Sequence, residues 1–248
     1  MRRLAIAIGV VVLASVRACA AELPTAEQLL KKVTAAFAEM QSLEADMRGT
    51  GSMGWKEAGH LAMERSEKDG KTICRAWAIV QETWKESDGK EESQESSMVN
   101  DGTFTWTERR IRGKSEIRVE KVDSQEPNPL GPGEGIMRDI REDWQRFHLS
   151  VVGEDKIDGE KMYVLEGALP AADLPKYAKE SKMKVWISQD DLMMRRIVDT
   201  VQLAKGDHSE TNTVEFRNVK VNQKVDPALF IYTPPEGAKV NDRTKPKP

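Results

Sequence analysis

Cys74, three histidines and a large population of carboxylates are the side chains here with the chemistry for catalysis or metal binding, and their spacing assembles no familiar machinery. The chain has no Gly-x-Ser-x-Gly, no His-Glu-x-x-His, no Cys or His pairs at metal-ligand spacing and no Walker sequence. His60, His148 and His208 stand in no partner motif for a cysteine nucleophile. Cys74 lies inside the strand-like run 71–80, where a buried, inert thiol is the plain reading. Gly131-Pro132-Gly133-Glu134-Gly135 is glycine-rich but lacks both a Gly-Lys-Ser/Thr ending and a strand leading into it, so it reads as a flexible connection rather than a phosphate loop. The carboxylates fall on turns and alternate strand faces, where solvation explains them, although a pair assembled only in space would look the same. No enzyme, cofactor or metal is therefore expected.

The abundant material is soft and apolar. Eleven Met and six Trp are spread along the chain. Most belong in a core, but flexible Met side chains also recur on surfaces that accept variable apolar ligands.

The elements that must position these residues are mostly strands. Pro24-Thr25 opens a helix, with Thr25 and Gln28 in capping-box spacing and Leu29, Val33, Ala36, Phe37 and Met40 on one face. Such a helix packs across a sheet, and over an open sheet it can also be a lid. From Leu43 the period becomes two, with Leu43, Ala45 and Met47 alternating with acids and Arg48. Asp-Gly turns at 69–70, 88–89, 101–102 and 158–159 separate short runs, which predicts an antiparallel meander; the connections are too short for βαβ units. A two-residue turn at Asp101-Gly102 pairs Val99 with Phe104 and puts Val99, Phe104 and Trp106 on one face. The same turn at Asp69-Gly70 pairs Met63 with Ala76 and Arg65 with Cys74, with Trp77 facing away from Met63; a longer loop there reverses that face.

Ile136, Met137, Ile140, Trp144 and Phe147 recur at helical spacing and predict a second amphipathic helix. Strands then resume at 147–152, 162–165, 182–188, 192–203 and 211–221, with a partly helical excursion at 170–179. Ala228 to Thr233 reads as the last strand, ended by Pro234-Pro235. The expectation is about ten or eleven strands in one domain, residues 22–242, with a disordered tail at 243–248.

Arg2-Arg3, an apolar run from Leu4 to Val16 and Ala18-Cys19-Ala20-Ala21 have the layout of a secretory signal over residues 1–21, and the run is too short to span a bilayer. Val16-Arg17-Ala18-Cys19 also reads as a degenerate lipidation site, with Arg17 a poor fit. Cleavage after Ala20 or Ala21 leaves Cys74 as the sole cysteine and excludes an intrachain disulfide. Removing three arginines with the signal takes the formal charge from −3 to −6, which argues against a nucleic-acid binder. The expected location is the periplasm.

Several segments, in order along the mature chain, resemble the LolA-like family of periplasmic lipoprotein carriers. Residues 228–242, Ala-Leu-Phe-Ile-Tyr-Thr-Pro-Pro-Glu-Gly-Ala-Lys-Val-Asn-Asp, are the nearest to it. Val99 to Trp106 is similar to the family's Asp-Gly hairpin with a following Trp, and Asp143 to Leu149 resembles its helix-to-strand joint. The resemblance implies a mainly β fold with α helices, an incomplete, half-open antiparallel β-barrel closed by helices as a lid over an apolar cavity. It implies a monomeric carrier whose partners are acylated lipoproteins or lipids, an inner-membrane releasing complex and an outer-membrane acceptor. The cavity and lid candidates are Met47, Leu61, Met63, Val99, Phe104, Trp106, Met137, Ile140 and Trp144. Family members hold the lid with an Arg at the end of the second strand; Arg65 aligns there, though Ser66 replaces the usual following Pro. A surface Arg on a hairpin is the plain alternative. Two other functions stay open: a regulatory or interaction module of the cell envelope with the same half-barrel, and a secreted hydrolase.

Overall fold

The computed structural model describes residues 23–244 apart from 53, 69–70, 86–88, 112–116 and 124–140. The signal segment, the Gly-rich connection, Met137 and Ile140 lie outside the described residues.

Helix α1, Ala26–Glu39, starts where the capping box predicts: Gln28 N–H donates to Thr25 Oγ1 at 3.2 Å, and Thr25 N–H donates to Gln28 Oε1 at 2.9 Å. Its stripe of Leu29, Val33 and Phe37 is buried. Six strands follow as a meander: β1 (Ser42–Gly51), β2 (Lys56–Lys68), β3 (Lys71–Lys85), β4 (Glu91–Asn100), β5 (Phe104–Ile111) and β6 (Ile117–Asp123). Helix α2 is described over 141–146. A second meander comprises β7 (Ser150–Ile157), β8 (Glu160–Ala168), β9 (Ala178–Ser188), β10 (Met194–Leu203) and β11 (Ser209–Val221). A 3₁₀ turn at Pro227–Phe230 and a short strand β12, Lys239–Asp242, complete the chain.

All twelve strands form one sheet in the order β12-β6-β5-β4-β3-β2-β1-β11-β10-β9-β8-β7. The protein is mainly β, and its sheet is open: β12 and β7 are the two edges and do not pair. The β1–β11 pairing joins the two meanders.

Register decides which side chains share a face. Directly opposed residues lie on the same side, so Leu43, Met63, Ala76, Asn100 and Thr105 form one row on the face that carries α1. Ala62, Trp77, Val99, Trp106 and Lys121 form a row on the other. On the helix side, Leu29, Val33, Phe37 and Met40 of α1 join Trp144 and Phe147, Met63 of β2 and Leu165, Met183, Val185 and Ile187 of β8 and β9 in one buried cluster. On the opposite side, Val225 and Phe230 bury Ala62 with Trp77 and Leu229 packed against them.

The Asp69-Gly70 hairpin has the expected register, with Met63 opposite Ala76 and Arg65 opposite Cys74. Asp101-Gly102 differs: Val99 pairs with Trp106, not Phe104. Asp101 Oδ1 accepts from the N–H groups of Thr103 at 2.7 Å and Phe104 at 2.8 Å, building a four-residue turn instead of a two-residue one. The shift is by two residues, so Val99, Phe104 and Trp106 still share a face.

Other expectations need correction. Ala228 to Thr233 is not a strand: Asp226 Oδ1 accepts from Ala228 N–H at 2.9 Å, and with Pro227 at the first position this starts a helical turn. The final strand is instead β12, which pairs parallel with β6, so the sheet is not wholly antiparallel. The 170–179 excursion is built of turns, and β9 begins at Ala178. The segment 147–152 enters the sheet only at Ser150, because α2 runs on to a turn in which His148 has φ of 50°. Arg243, assigned to a disordered tail, continues beside β6: its N–H donates to Lys121 O at 2.9 Å and its guanidinium pairs with Glu120.

Candidate functional site

The helix-covered face has two regions. Over β8, β9 and the β1–β2 end, α1 and α2 seal a filled apolar cluster; Trp144 is 5% exposed and Met63 3%. Further along the same face, Met47 lines up with Gly59 and Val80, and Leu61 with Ala78 and Met98, all half-buried. Gly59 makes that strip close: a Cβ there would lie 2.6 Å from Ile79 O.

Arg65 sits where α1 ends. Its Nη1 donates to Phe37 O at 2.7 Å and Ala38 O at 3.0 Å, and its guanidinium carbon stands 4.9 Å from the Phe37 ring centroid. Its backbone N–H also donates to Gln41 O at 2.7 Å. The last turn of α1 contains no basic residue, so β2 supplies from outside the cation that a helix C-terminus favours.

The nine cavity and lid candidates separate. Met47, Leu61, Met63 and Trp144 are on the helix side. Val99, Phe104 and Trp106 are on the opposite face and cannot line a cavity with them. There Val99 is 4% exposed, and Trp106 packs 5.4 Å from Tyr232 of the C-terminal segment. The error was in joining separate hairpins: each turn was read locally, and the β3–β4 register that sets Val99 opposite Trp77 has no local signal in the sequence.

Two features had no sequence signal. Asp199 on β10 lies on the helix side, opposite Met183 of β9 and Asn212 of β11. Its Oδ1 and the Trp144 indole Nε1 are both buried with no hydrogen-bond partner among the described residues. Burial, with a contribution from Asp143, pushes the Asp199 carboxyl up to about 6. On the other face, Glu108, 5% exposed, accepts from Tyr232 OH at 2.5 Å and pairs with Arg110. Burial, followed by the Glu108 contact, raises the Tyr232 phenol.

The residues with catalytic potential are committed elsewhere. His60 Nδ1 meets Asp46 Oδ1 at 2.7 Å, and Nε2 faces Glu44 Oε1 at 3.7 Å. Hydrogen bonds from Asn218 and His60 lower the Asp46 carboxyl, and Glu44 pairs with Lys220. With both ring nitrogens turned to carboxylates, this reads as a structural polar cluster rather than a poised base. A cleft of about 770 Å³ beside it has a mixed lining, with charged Arg48, Arg195, Arg217, Asp158 and Glu215 beside apolar Met47, Ile157, Phe216 and Val219. Among the described residues no group of three or more His, Cys, Asp or Glu is placed to hold a metal ion, and no helix is long and apolar enough to cross a membrane.

A mainly β open sheet with two helices on one face is the class that fold and site define. Residues 134–241 match the family described as "Predicted periplasmic protein (DUF2092)", in agreement with the periplasmic location that the N-terminal signal predicts. The uncharacterized protein MJ0687 of Methanocaldococcus jannaschii is 27% identical over 218 residues, 87% of this chain and 53% of that protein. The chain thus spans about half the length of the curated relative it matches. Among solved structures it is distantly similar to LprF from Mycobacterium bovis (TM-score 0.44, 15% identity, 81% of this chain and 94% of LprF) and to a DUF1329 family protein from Desulfovibrio piger (TM-score 0.34, 12% identity, 84% and 96%).

Proposed function

We propose that this protein is a periplasmic, LolA-like carrier that shields the acyl chains of lipoproteins or lipids on the helix-covered face of its sheet and passes them toward the outer membrane. The observation that supports it most is the Arg65 clasp on the end of α1, the position at which the LolA-like resemblance places a lid latch. Leaving one long acyl chain in water costs on the order of 10 kcal/mol at about 0.8 kcal/mol per CH₂, so transit between membranes requires an apolar cover that can open. With the helices docked, the Leu29–Met63–Met183 cluster is filled. Loading therefore requires α1 and α2 to move outward, uncovering the Met63–Met183 cluster so that it joins the half-buried strip of Met47, Leu61 and Met98. The role is binding and transfer, not catalysis, with a releasing complex at the inner membrane and an acceptor at the outer one as partners.

The test is to purify the mature protein gently from its native host and identify co-purifying acyl chains by mass spectrometry, alongside a membrane-release assay with an acylated lipoprotein. Bound acyl chains and release are expected. No lipid, together with no release, sinks the carrier reading.

A second reading, an envelope interaction module, draws on the filled helix-side cluster and on Val152 and Val240, 51% and 45% exposed on the edge strands β7 and β12. It predicts capture of a protein partner by mature protein that carries no lipid.

A further inference from the structure

Asp199 lies in a row that crosses the sheet under the α2 joint. Gly167 of β8, Met183 of β9, Asp199 of β10, Asn212 of β11 and Gly51 of β1 are successive cross-strand partners on the helix side. The backbone of the joint rests directly on this row: a Cβ on Gly167 would lie 2.2 Å from Phe147 O and 3.1 Å from Leu149 Cα. Asp143 of α2 is close enough to act on Asp199 through its charge. Trp144, next in the chain, packs in the same cluster as Met183.

Among the described residues, the groups facing Asp199 supply no counter-charge. β9 presents Ser181, Met183 and Val185 on this side, while Lys182 and Lys184 point the other way. β11 presents Glu210, Asn212 and Val214, and on β10 Arg196 is turned to the opposite face, where it pairs with Glu215. From α2 the facing charge is Asp143, with Arg141, Glu142 and Arg146 exposed; the charged residues of α1, Glu27, Lys31, Lys32 and Glu39, are exposed too. A carboxylate formed here meets another acid and apolar surface.

We infer that Asp199 makes the docking of α2 on the sheet depend on pH, its ionisation driving the 143–149 joint off the row and unsealing the helix-covered face. The unsealing follows from the cluster itself; its use for acyl release rests on the carrier reading above.

The sign follows from where the proton is held. With α2 docked, the carboxyl keeps its proton up to about pH 6; undocked and hydrated, it ionises near the ordinary value of about 4. Docking is at full strength below about pH 4, weakens as pH rises through that interval, and is weakest above about pH 6. Two units of separation correspond to roughly a hundredfold change in the opening equilibrium, and partial exposure of Asp199 reduces this to on the order of tenfold.

The joint carries its own reporters. Phe147 N–H donates to Asp143 O at 2.9 Å, and Leu149 N–H to Trp144 O at 3.1 Å. Hydrogen exchange on the mature chain, corrected for intrinsic rates, should show protection of these two amides falling a few-fold from ~pH 5 to ~pH 7.5, the upper part of the interval. Asp199→Asn should abolish that dependence. If the first variant fails to fold, Asp143→Asn should move its midpoint to lower pH, because the Asp143 charge helps raise the Asp199 carboxyl. Equal protection at both pH values in the unaltered chain, or an undiminished pH slope in Asp199→Asn, overturns the switch; so does an unmoved midpoint in Asp143→Asn. Binding of a fluorescent fatty acid is measured in parallel. No binding at either pH, with the exchange slope present, defeats the carrier reading and leaves the switch standing; binding without the slope does the reverse.

Discussion

Single residues hold this molecule's helices at two points, and each can be tested alone. Arg65→Leu removes two charge-assisted hydrogen bonds to the end of α1, leaving the carbonyls of Phe37 and Ala38 to water. A loss of about 1–3 kcal/mol in urea unfolding is expected, together with a changed rate in the lipoprotein-release assay. Unchanged transfer would remove its latch role. Gly167→Ala forces a Cβ to within 2.2 Å of Phe147 O, a backbone atom that cannot swing aside. More than 2 kcal/mol of destabilisation is expected, whereas Gly153→Ala, with nothing within 4 Å, should leave the melting temperature nearly unchanged. Arg65 was legible because its hairpin register follows from an Asp-Gly turn and its position follows from the family resemblance. Asp199 was not. In Met194-Arg-Arg-Ile-Val-Asp-Thr-Val it falls in an alternating strand, where an acid reads as solvated; only the helix laid over that face, a tertiary fact, buries it. Gly167 was equally silent, since a glycine in a strand does not say what approaches it.

At the scale of elements, the C-terminal segment differs most from expectation. A strand over 228–233 would have continued the sheet; instead the 3₁₀ turn lays Phe230 flat on the face opposite the helices, with Arg75 4.9 Å from its ring centroid and Glu64 paired to Arg75. The apolar, aromatic composition that suggested a strand reflects burial against a sheet, and burial does not specify extended backbone. The signal for the turn was present in Asp226-Pro227, which caps and starts a helical turn as readily as it precedes a strand. Phe230 is 1% exposed. Phe230→Ala should cost about 3 kcal/mol in denaturant titrations, while Tyr232→Phe, which leaves Glu108 paired with Arg110, should cost on the order of 1 kcal/mol. A smaller loss in Phe230→Ala than in Tyr232→Phe would mean that this strap is held by its polar contact rather than by its apolar one. The capping box of α1 and the meander were legible because both are local in the chain; the crossing of the last segment to the far side of the sheet depends on surfaces assembled from four strands.

For the whole molecule, the open order of the sheet means that its middle is made by the most distant partners in the sequence. Each meander pairs neighbours along the chain, and β1 then meets β11; the Lys220 to Glu44 contact spans 176 positions. Bringing such remote strands together carries a loop-closure entropy that must be met before the pairing stabilises anything. The chain is therefore expected to fold in two stages, each half first and their union last. The union can be shortened without altering a contact in it. In a circular permutant opened between β6 and α2 and closed from Thr244 to Leu23 by a flexible linker of about 20 residues, β11 precedes β1 by only some 60 positions, and the closure term predicts a folding rate about fivefold higher. Stopped-flow refolding of the permutant beside the parent chain measures this directly; an equal or slower rate would show that the joining of the halves is not what limits folding.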